Sequence, residues 1–423
     1  MAKDRVPPVT VLPPAPATEE AEAPLAMIEL LRRFSDFRYL WLGTIFTQAG
    51  QWILNVSLGW LMLVLTDSPF WVGLVGFFGG VPMLLVAVPA GVILDRYDRR
   101  KILIWCQVGL ALIGVMLAAL AILNIAQPWH LLVGAFLNGG GMALNNAARQ
   151  TMVPGMVSRI NLASAIALNT AGQNASRIVG PSIAGVIIGF VGVGGAFVFQ
   201  AFMLGIALFL TFSLAITPAA SKAATVIRGG LLDGFRYVRQ SPVLMDLTLL
   251  AAIPMLFVFP YLQLLPVFAR DILNTGPSGM GILMAVSGVG AVTGGLLSAP
   301  AAKLRRKGMF LLLTTIAYGV VVVTFAYSEW VVLSGAMIFT GSLVGSAYMS
   351  LNNTLLHLNV TDDVRGRVTG VYMITFGLMP LGGLPMGLAA EIWGAPFAVA
   401  AGAVISSILT TILAVRSKRL RAL

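Results

Sequence analysis

Residues 102–124, ILIWCQVGLALIGVMLAALAILN, carry no charged side chain, and they are long enough to cross a bilayer, which takes about 20 apolar residues as a helix. The run exceeds a tilted barrel strand of about 10 residues and lacks period-two alternation, so it reads as a spanning α-helix. Further runs of the same kind lie at 39–65, 70–94, 129–153, 162–191, 194–216, 243–270, 277–301, 308–328, 330–357, 366–393 and 395–415. The pattern predicts an all-α membrane protein with 12 transmembrane helices.

The composition agrees. Of 423 residues, 58% are hydrophobic and 10% charged, with a mean hydropathy of +0.91, whereas roughly a quarter of a soluble domain is charged. Secreted, nuclear and ordinary cytoplasmic proteins are excluded. Cys106 stands alone and cannot close an internal disulfide. His130 and His357 lack the thiol and carboxylate cluster of a zinc site, so neither metal nor cofactor is expected. No G-x-x-x-x-G-K-[ST] segment occurs, which removes ATP hydrolysis by a P-loop. An intramembrane enzyme needs an acid–base or nucleophilic pair at membrane depth. Both histidines fall at run ends and no carboxylate pair is apparent, so no enzyme is expected.

The formal charge of +11 would suggest nucleic acid in a soluble protein, but its distribution points to topology. An even number of helices puts both termini on one side. That side collects all but two of the basic residues, the exceptions being Arg270 in an opposite loop and Arg177 within a helix. Positive loops stay inside, so both termini are expected to be cytoplasmic, in a bacterial cytoplasmic membrane, with no nucleic-acid partner.

The Pro-rich, acidic stretch over 1–24 is expected to be a disordered tail and not a signal peptide. Residues 25–37, LAMIELLRRFSDF, put Met27, Leu30, Leu31 and Phe34 on one face, the pattern of an interfacial amphipathic helix. An N-terminal six-helix bundle then spans 38–217, a cytoplasmic connection 218–241, a C-terminal six-helix bundle 242–416 and a basic tail 417–423. Internal symmetry supports two pseudo-symmetric halves. Asn145-Asn146 near the end of the fourth run recurs as Asn352-Asn353 near the end of the tenth, and Arg99, Arg100 and Lys101 after the second run are echoed by Arg305, Arg306 and Lys307 after the eighth. Such repeats build secondary transporters, with the substrate site between halves near the midplane.

Residues 91–103, GVILDRYDRRKIL, lie between the second and third runs. They resemble the loop motif G-x-x-x-D-R-x-G-R-R/K of the major facilitator superfamily, with Gly91, Asp95, Arg96, Arg99 and Arg100 in place and Asp98 where the second glycine would stand. The resemblance implies a major facilitator fold in which Asp95 latches the outward-open state. Positive-inside anchoring alone is the plainer reading. Further segments, LGTIFTQAGQWILNVSLGWLMLVLTDSP (42–69), ARQTMVPGMVSRINLASAIALNTAGQNASRIVGPSIAG (148–185), LLDGFRYVRQSP (231–242) and RGRVTGVYMITFGLMPLGGLPMG (365–387), are similar to the transmembrane secretion effector branch, which includes enterobactin exporters. That resemblance implies export. RIVGPSIAG also resembles the Gly-Pro motif of drug antiporters, in Gly180, Pro181 and Gly185, with Ala184 in place of its first paired glycine. The antiporters' coupling arginine in helix 4 is replaced, by register, with Ala135.

Polar residues inside the runs are the candidate substrate cavity. Gln48, Gln51, Trp52 and Asn55 recur at i, i+3, i+4 and i+7 on one helical face, and Asn138 and Asn145 at i, i+7. The superfamily's helices 7 and 10 line the cavity, which adds Tyr261, Gln263 and Asn352. Asn169, Gln173 and Arg177 form a stripe in the fifth run, with the arginine near its centre. A charge at that depth is costly and marks a ligand or a packing role satisfied by backbone and amides. Hydrogen bonding between helices is the competing reading for the other polar groups. Asp246, near the start of the seventh run, is the candidate coupling group, with pairing to a loop arginine as its alternative.

These readings predict a secondary-active exporter of a small amphipathic organic molecule, siderophore-like or otherwise anionic, working as a monomer by alternating access. The driving force would be an ion gradient, with protons as the coupling ion. Efflux of lipophilic drugs or cations, lysolipid flipping, and a non-transporting sensor are the alternatives. Arg177 and the lack of a central carboxylate favour an anion.

Overall fold

The computed structural model describes residues 25–215, 231–301, 306–361 and 364–422. The expected tail over 1–24 and most of the central connection lie outside them. The described chain is helical: α1 (Met27–Arg33), α2 (Ser35–Thr66), α3 (Pro69–Arg96), α4 (Arg99–Ile122), α5 (Pro128–Met152), α6 (Leu162–Phe212), α7 (Leu231–Gln240), α8 (Pro242–Phe257), α9 (Leu265–Val267), α10 (Gly276–Ala301), α11 (Lys307–Ala326), α12 (Val331–Leu358), α13 (Arg365–Phe376), α14 (Leu378–Trp393), α15 (Ala395–Arg416) and α16 (Lys418–Ala422).

Ten of the described stretches are long and apolar enough to cross a membrane, against the twelve runs read from the sequence. The difference has two causes. α5 carries Asn138, Asn145, Asn146 and Arg149 and is not among the ten. The fifth and sixth runs are joined in α6, whose 51 residues would extend about 75 Å at 1.5 Å per residue, far beyond a hydrocarbon core of about 30 Å. Gly192 resolves this with φ 85° and ψ 174°, a backbone state that only glycine adopts without strain. Both ends of α6 consequently lie at the terminal end of the bundle. Asn161, just before it, accepts from the Leu25 amide at 2.9 Å, and Phe212 O accepts from Arg100 at 2.7 Å.

Two runs expected to be continuous are broken. After α8 the chain passes through a 3-10 turn (Phe259–Leu264), α9 and a π-helical turn (Phe268–Ile272). Pro254, Pro260 and Pro266 remove successive backbone donors there. The eleventh run divides at Gly377 between α13 and α14, where Leu84 of α3 fills the place of a side chain: a Cβ on Gly377 would lie 2.1 Å from Leu84 Cδ2.

Helices α2–α6 form one half and α8–α15 the other. The halves meet along two seams, α3 with α14 and α6 with α10. A Cβ on Gly73 would lie 2.6 Å from Gly383 O, and one on Gly185 would lie 2.7 Å from Gly281 Cα. These positions all fall in the part of the bundle away from the termini. On the terminal side the halves part: Gly91 has nothing within 4 Å of an added Cβ, and Val92, Asp95 and Arg96 are exposed. The molecule is closed at one end and open at the terminal end.

α1 does not lie free as an amphipathic strip. Leu30 is buried in a cluster with Phe37, Leu94, Ile102, Met152 and Leu214, which seals the terminal end of the first half. The segment after Arg416 forms the short helix α16, with Leu420 buried.

Candidate functional site

The first half carries a connected polar face. On α2 the i, i+3, i+7 spacing puts Gln48, Gln51 and Asn55 in one line, and α5 answers with amides of its own. Asn138 Nδ2 donates to Gln51 Oε1 at 2.9 Å, Gln51 Nε2 donates to Asn55 Oδ1 at 2.9 Å, and Gln48 Nε2 reaches Asn146 Oδ1 at 3.4 Å. Asn138 is buried and serves the helix pair, whereas Asn55 is exposed although it sits between buried Leu54 and Val56. The amide chain therefore runs from the helix contact to the open side of α2.

α6 completes this face. Arg177 is partly exposed, its guanidinium carbon lies 5.7 Å from the Trp52 ring centroid, and Tyr318 and Tyr261 of the other half are near enough to interact with it electrostatically. Among the described residues it makes no hydrogen bond, so its donors are available to a ligand. Trp52 is held there because α2 and α6 approach closely: a Cβ on Gly180 would lie 2.7 Å from Trp52 Cβ and 3.0 Å from Ala49 O. Gln173 and Asn169, one and two turns back on the stripe, are half-buried and also lack a hydrogen-bond partner among the described residues. A guanidinium with aromatic cover and free amides beside it suits an anionic, partly apolar molecule.

The second half contributes less open polarity. Asn352 is buried and donates to Leu247 O at 3.1 Å. Tyr261 is buried with its ring 5.6 Å from that of Phe325. Gln263 is lodged in the α3–α14 seam, where a Cβ on Gly76 or on Gly383 would lie 2.4 or 2.1 Å from its Oε1. Among the described residues no group of three or more His, Cys, Asp and Glu could hold a metal.

The terminal loop has divided duties. Asp98 caps α4, accepting from the Arg100 and Lys101 amides at 2.8 and 3.2 Å, which explains an aspartate where the motif has glycine. Arg99 donates to Thr151 O at the end of α5, and Arg100 to Thr211 O and Phe212 O at the end of α6. Cations on helix C-termini brace the first half from below. Gly91, Asp95 and Arg96 are exposed. Pro181 and Gly185 lie in the α6–α10 seam, with Pro181 O 2.9 Å from where a Cβ on Gly281 would stand. Asp246 accepts from Ser417 Oγ at 2.5 Å, and the Leu420 amide donates to Ser417 Oγ at 3.1 Å. It ties α8 to the start of α16, and among the described residues no arginine pairs with it.

Arg149 stands at the end of the fourth run, where a basic residue reads as a loop charge, yet it is an interior group. It is 3% exposed. Nε donates to Asn145 Oδ1 at 3.0 Å, Nη1 to Leu40 O at 3.0 Å and Thr44 Oγ1 at 3.1 Å, and Nη2 to Thr47 Oγ1 at 3.0 Å. The signal was an asparagine four residues before it and the Gly43, Thr44, Thr47 group on the facing helix. Asn145 is thereby engaged with this arginine.

The transmembrane secretion effector family is matched over residues 30–423. The chain is 25% identical over 361 residues to the staphyloferrin A transporter of Staphylococcus aureus, covering 84% of this chain and 90% of that protein. It is 25% identical over 353 residues to the enterobactin exporter EntS of Escherichia coli, covering 82% and 83%. Among solved structures, the nucleoside transporter NupG is similar with a TM-score of 0.71 at 16% identity, covering 90% of this chain and 100% of that one. A bacterial homolog of the lysosomal transporter Spinster gives 0.70 at 16%, covering 92% and 96%.

Proposed function

Since the chain belongs to the transmembrane secretion effector family, and is therefore a multi-pass membrane transporter and not an enzyme, we propose that it is a secondary-active exporter of a small amphipathic anion, siderophore-like in character. The observation that carries this reading is Arg177, a guanidinium under Trp52 with no hydrogen-bond partner among the described residues. No carboxylate lies in the middle of a described span to satisfy a cationic substrate. The named relatives are a staphyloferrin A transporter and enterobactin exporters, which supports the same substrate class.

The topology we propose has twelve spanning segments, with α6 divided at Gly192 and α5 added to the ten apolar stretches. Both termini are cytoplasmic by the distribution of Lys and Arg. The open end then faces the cytoplasm, the loading side for an exporter. Substrate enters there, meets Arg177 and the Gln48, Gln51, Asn55, Asn169 and Gln173 amides, and leaves after the halves rock about their seams. A monomer suffices, since the polar face lies within one chain. An ion gradient drives the cycle, with protons as coupling ion and Asp246 at the cytoplasmic end as the candidate coupling group.

Uptake into inside-out membrane vesicles tests this directly, using a labelled catecholate siderophore and, separately, a lipophilic cation, each with and without an uncoupler. Uncoupler-sensitive uptake of the siderophore is expected. Uptake of the cation alone would make the protein a drug exporter and return Arg177 to a packing role.

A further inference from the structure

The α2–α3 corner, at the closed end, is gripped from two sides by the second half. Arg270, in the π-helical turn, donates through Nη1 to Leu63 O at 3.1 Å and through Nη2 to the Asp67 carboxylate, while its own neighbour Asp271 receives Nε. Leu63 O belongs to the last turn of α2, and Asp67, with φ 53°, closes that helix. On the other side Glu391 of α14 accepts from Ser68 Oγ at 2.7 Å and lies 3.4 Å from the Phe70 amide in the first turn of α3. A cation thus meets the negative end of one helix and an anion the positive end of the next. Exchanged charges would be repelled at both ends.

Gln263 works against this arrangement. Its Oε1 is buried between Gly76 and Gly383 without a hydrogen-bond partner among the described residues, and an unpartnered buried amide oxygen disfavours the state that contains it.

We propose that Arg270 and Glu391 are gating residues of the transport cycle, forming a clasp on the α2–α3 helix ends that holds this end shut, with Gln263 as the built-in element that favours its release. The inference rests on the transport reading, because a gate matters only if the halves rock. Its test reads the gate itself.

Val72 of α3 is 1% exposed and belongs to the buried hydrophobic cluster of the second half, which also holds Leu265, Phe268, Met386 and Ala390, so a cysteine there reacts only when the closed end opens. In purified full-length protein carrying Cys106→Ser and Val72→Cys, a charged methanethiosulfonate reagent should react far more slowly than with the denatured chain. Arg270→Gln should raise the rate about two- to five-fold, the range for an exposed ion pair, Glu391→Gln by about the same factor as its charge leaves the helix N-terminus, and the two together about ten-fold. Gln263→Met should lower it about three-fold or more. Salt at about 1 M should accelerate the parent and leave the double variant unchanged.

An unchanged rate in the double variant, a parent as reactive as the denatured chain, or no reaction in any variant would overturn the clasp. A rate raised by Gln263→Met would remove that residue's role. A gate that responds as described in a protein that takes up neither vesicle probe leaves the clasp standing and removes the proposed substrate and direction of transport; the opposite pair of results removes the clasp alone.

Discussion

Two arginines within the helices illustrate what burial demands of a guanidinium. Arg149 spreads four hydrogen bonds over Asn145, Leu40, Thr44 and Thr47 and is closed off from solvent. Arg177 has Trp52 and, among the described residues, no acceptor. Truncating the first removes charge-assisted bonds and leaves a void, so Arg149→Ala should destabilise the protein by about 2–4 kcal/mol, read as a lowered Tm in detergent. Arg177→Ala should leave the Tm nearly unchanged and abolish siderophore uptake, and Arg177→Lys should restore it only in part because a planar, two-pronged contact is lost. Equal thermal loss in both alanine variants would place Arg177 among the packing residues. The sequence showed Arg177 as deep because it stands in the middle of a long apolar run. It hid Arg149, which sits where a run ends and a loop charge is the default reading. Only the facing Thr44 and Thr47 distinguish the two cases, and which helices face one another is a property of the fold.

At the scale of elements, the helical class and the ends of most single runs were legible, because apolar length is local. The breaks after α8 and at Gly377 were less so. Hydropathy averages over prolines, and the Leu84 side chain opposite Gly377 comes from a distant helix. The partner of Gly185 was likewise invisible until α10 brought Gly281 against it. That pairing predicts the effect of added bulk. A Cβ at Gly281 would fall 2.8 Å from Gly185 Cα and 2.9 Å from Pro181 O, both backbone atoms with no room to turn away. Gly281→Val should force α10 from α6, so that the closed end no longer seals. The halves can part without unfolding, so a normal yield of folded protein by size exclusion is expected, with at least a ten-fold loss of vesicle uptake. Uptake at the parental level would show that the seam tolerates separation.

For the whole molecule, the two ends are in opposite conditions. One end has its seams packed and its helix ends clasped, while at the other Asp95 and Arg96 stand exposed on α3 with Gly91 unopposed. Arg99 and Arg100 are bound to carbonyl oxygens of their own half, whereas Asp95 and Arg96 have no hydrogen-bond partner among the described residues. Asp95 is the one carboxylate of that pair, able to meet a cation of the second half when the terminal end closes. A contact made in only one of two states shifts their balance by its own free energy and does nothing for a ligand that both states hold equally. Asp95→Asn should therefore slow siderophore uptake several-fold while the affinity of the purified protein for the same siderophore stays within about two-fold, since this structure already has the loop open and the Arg177 face accessible. Loss of affinity in parallel with rate would place Asp95 in the support of the binding face, and an unchanged rate would show that closure of the terminal end does not depend on it.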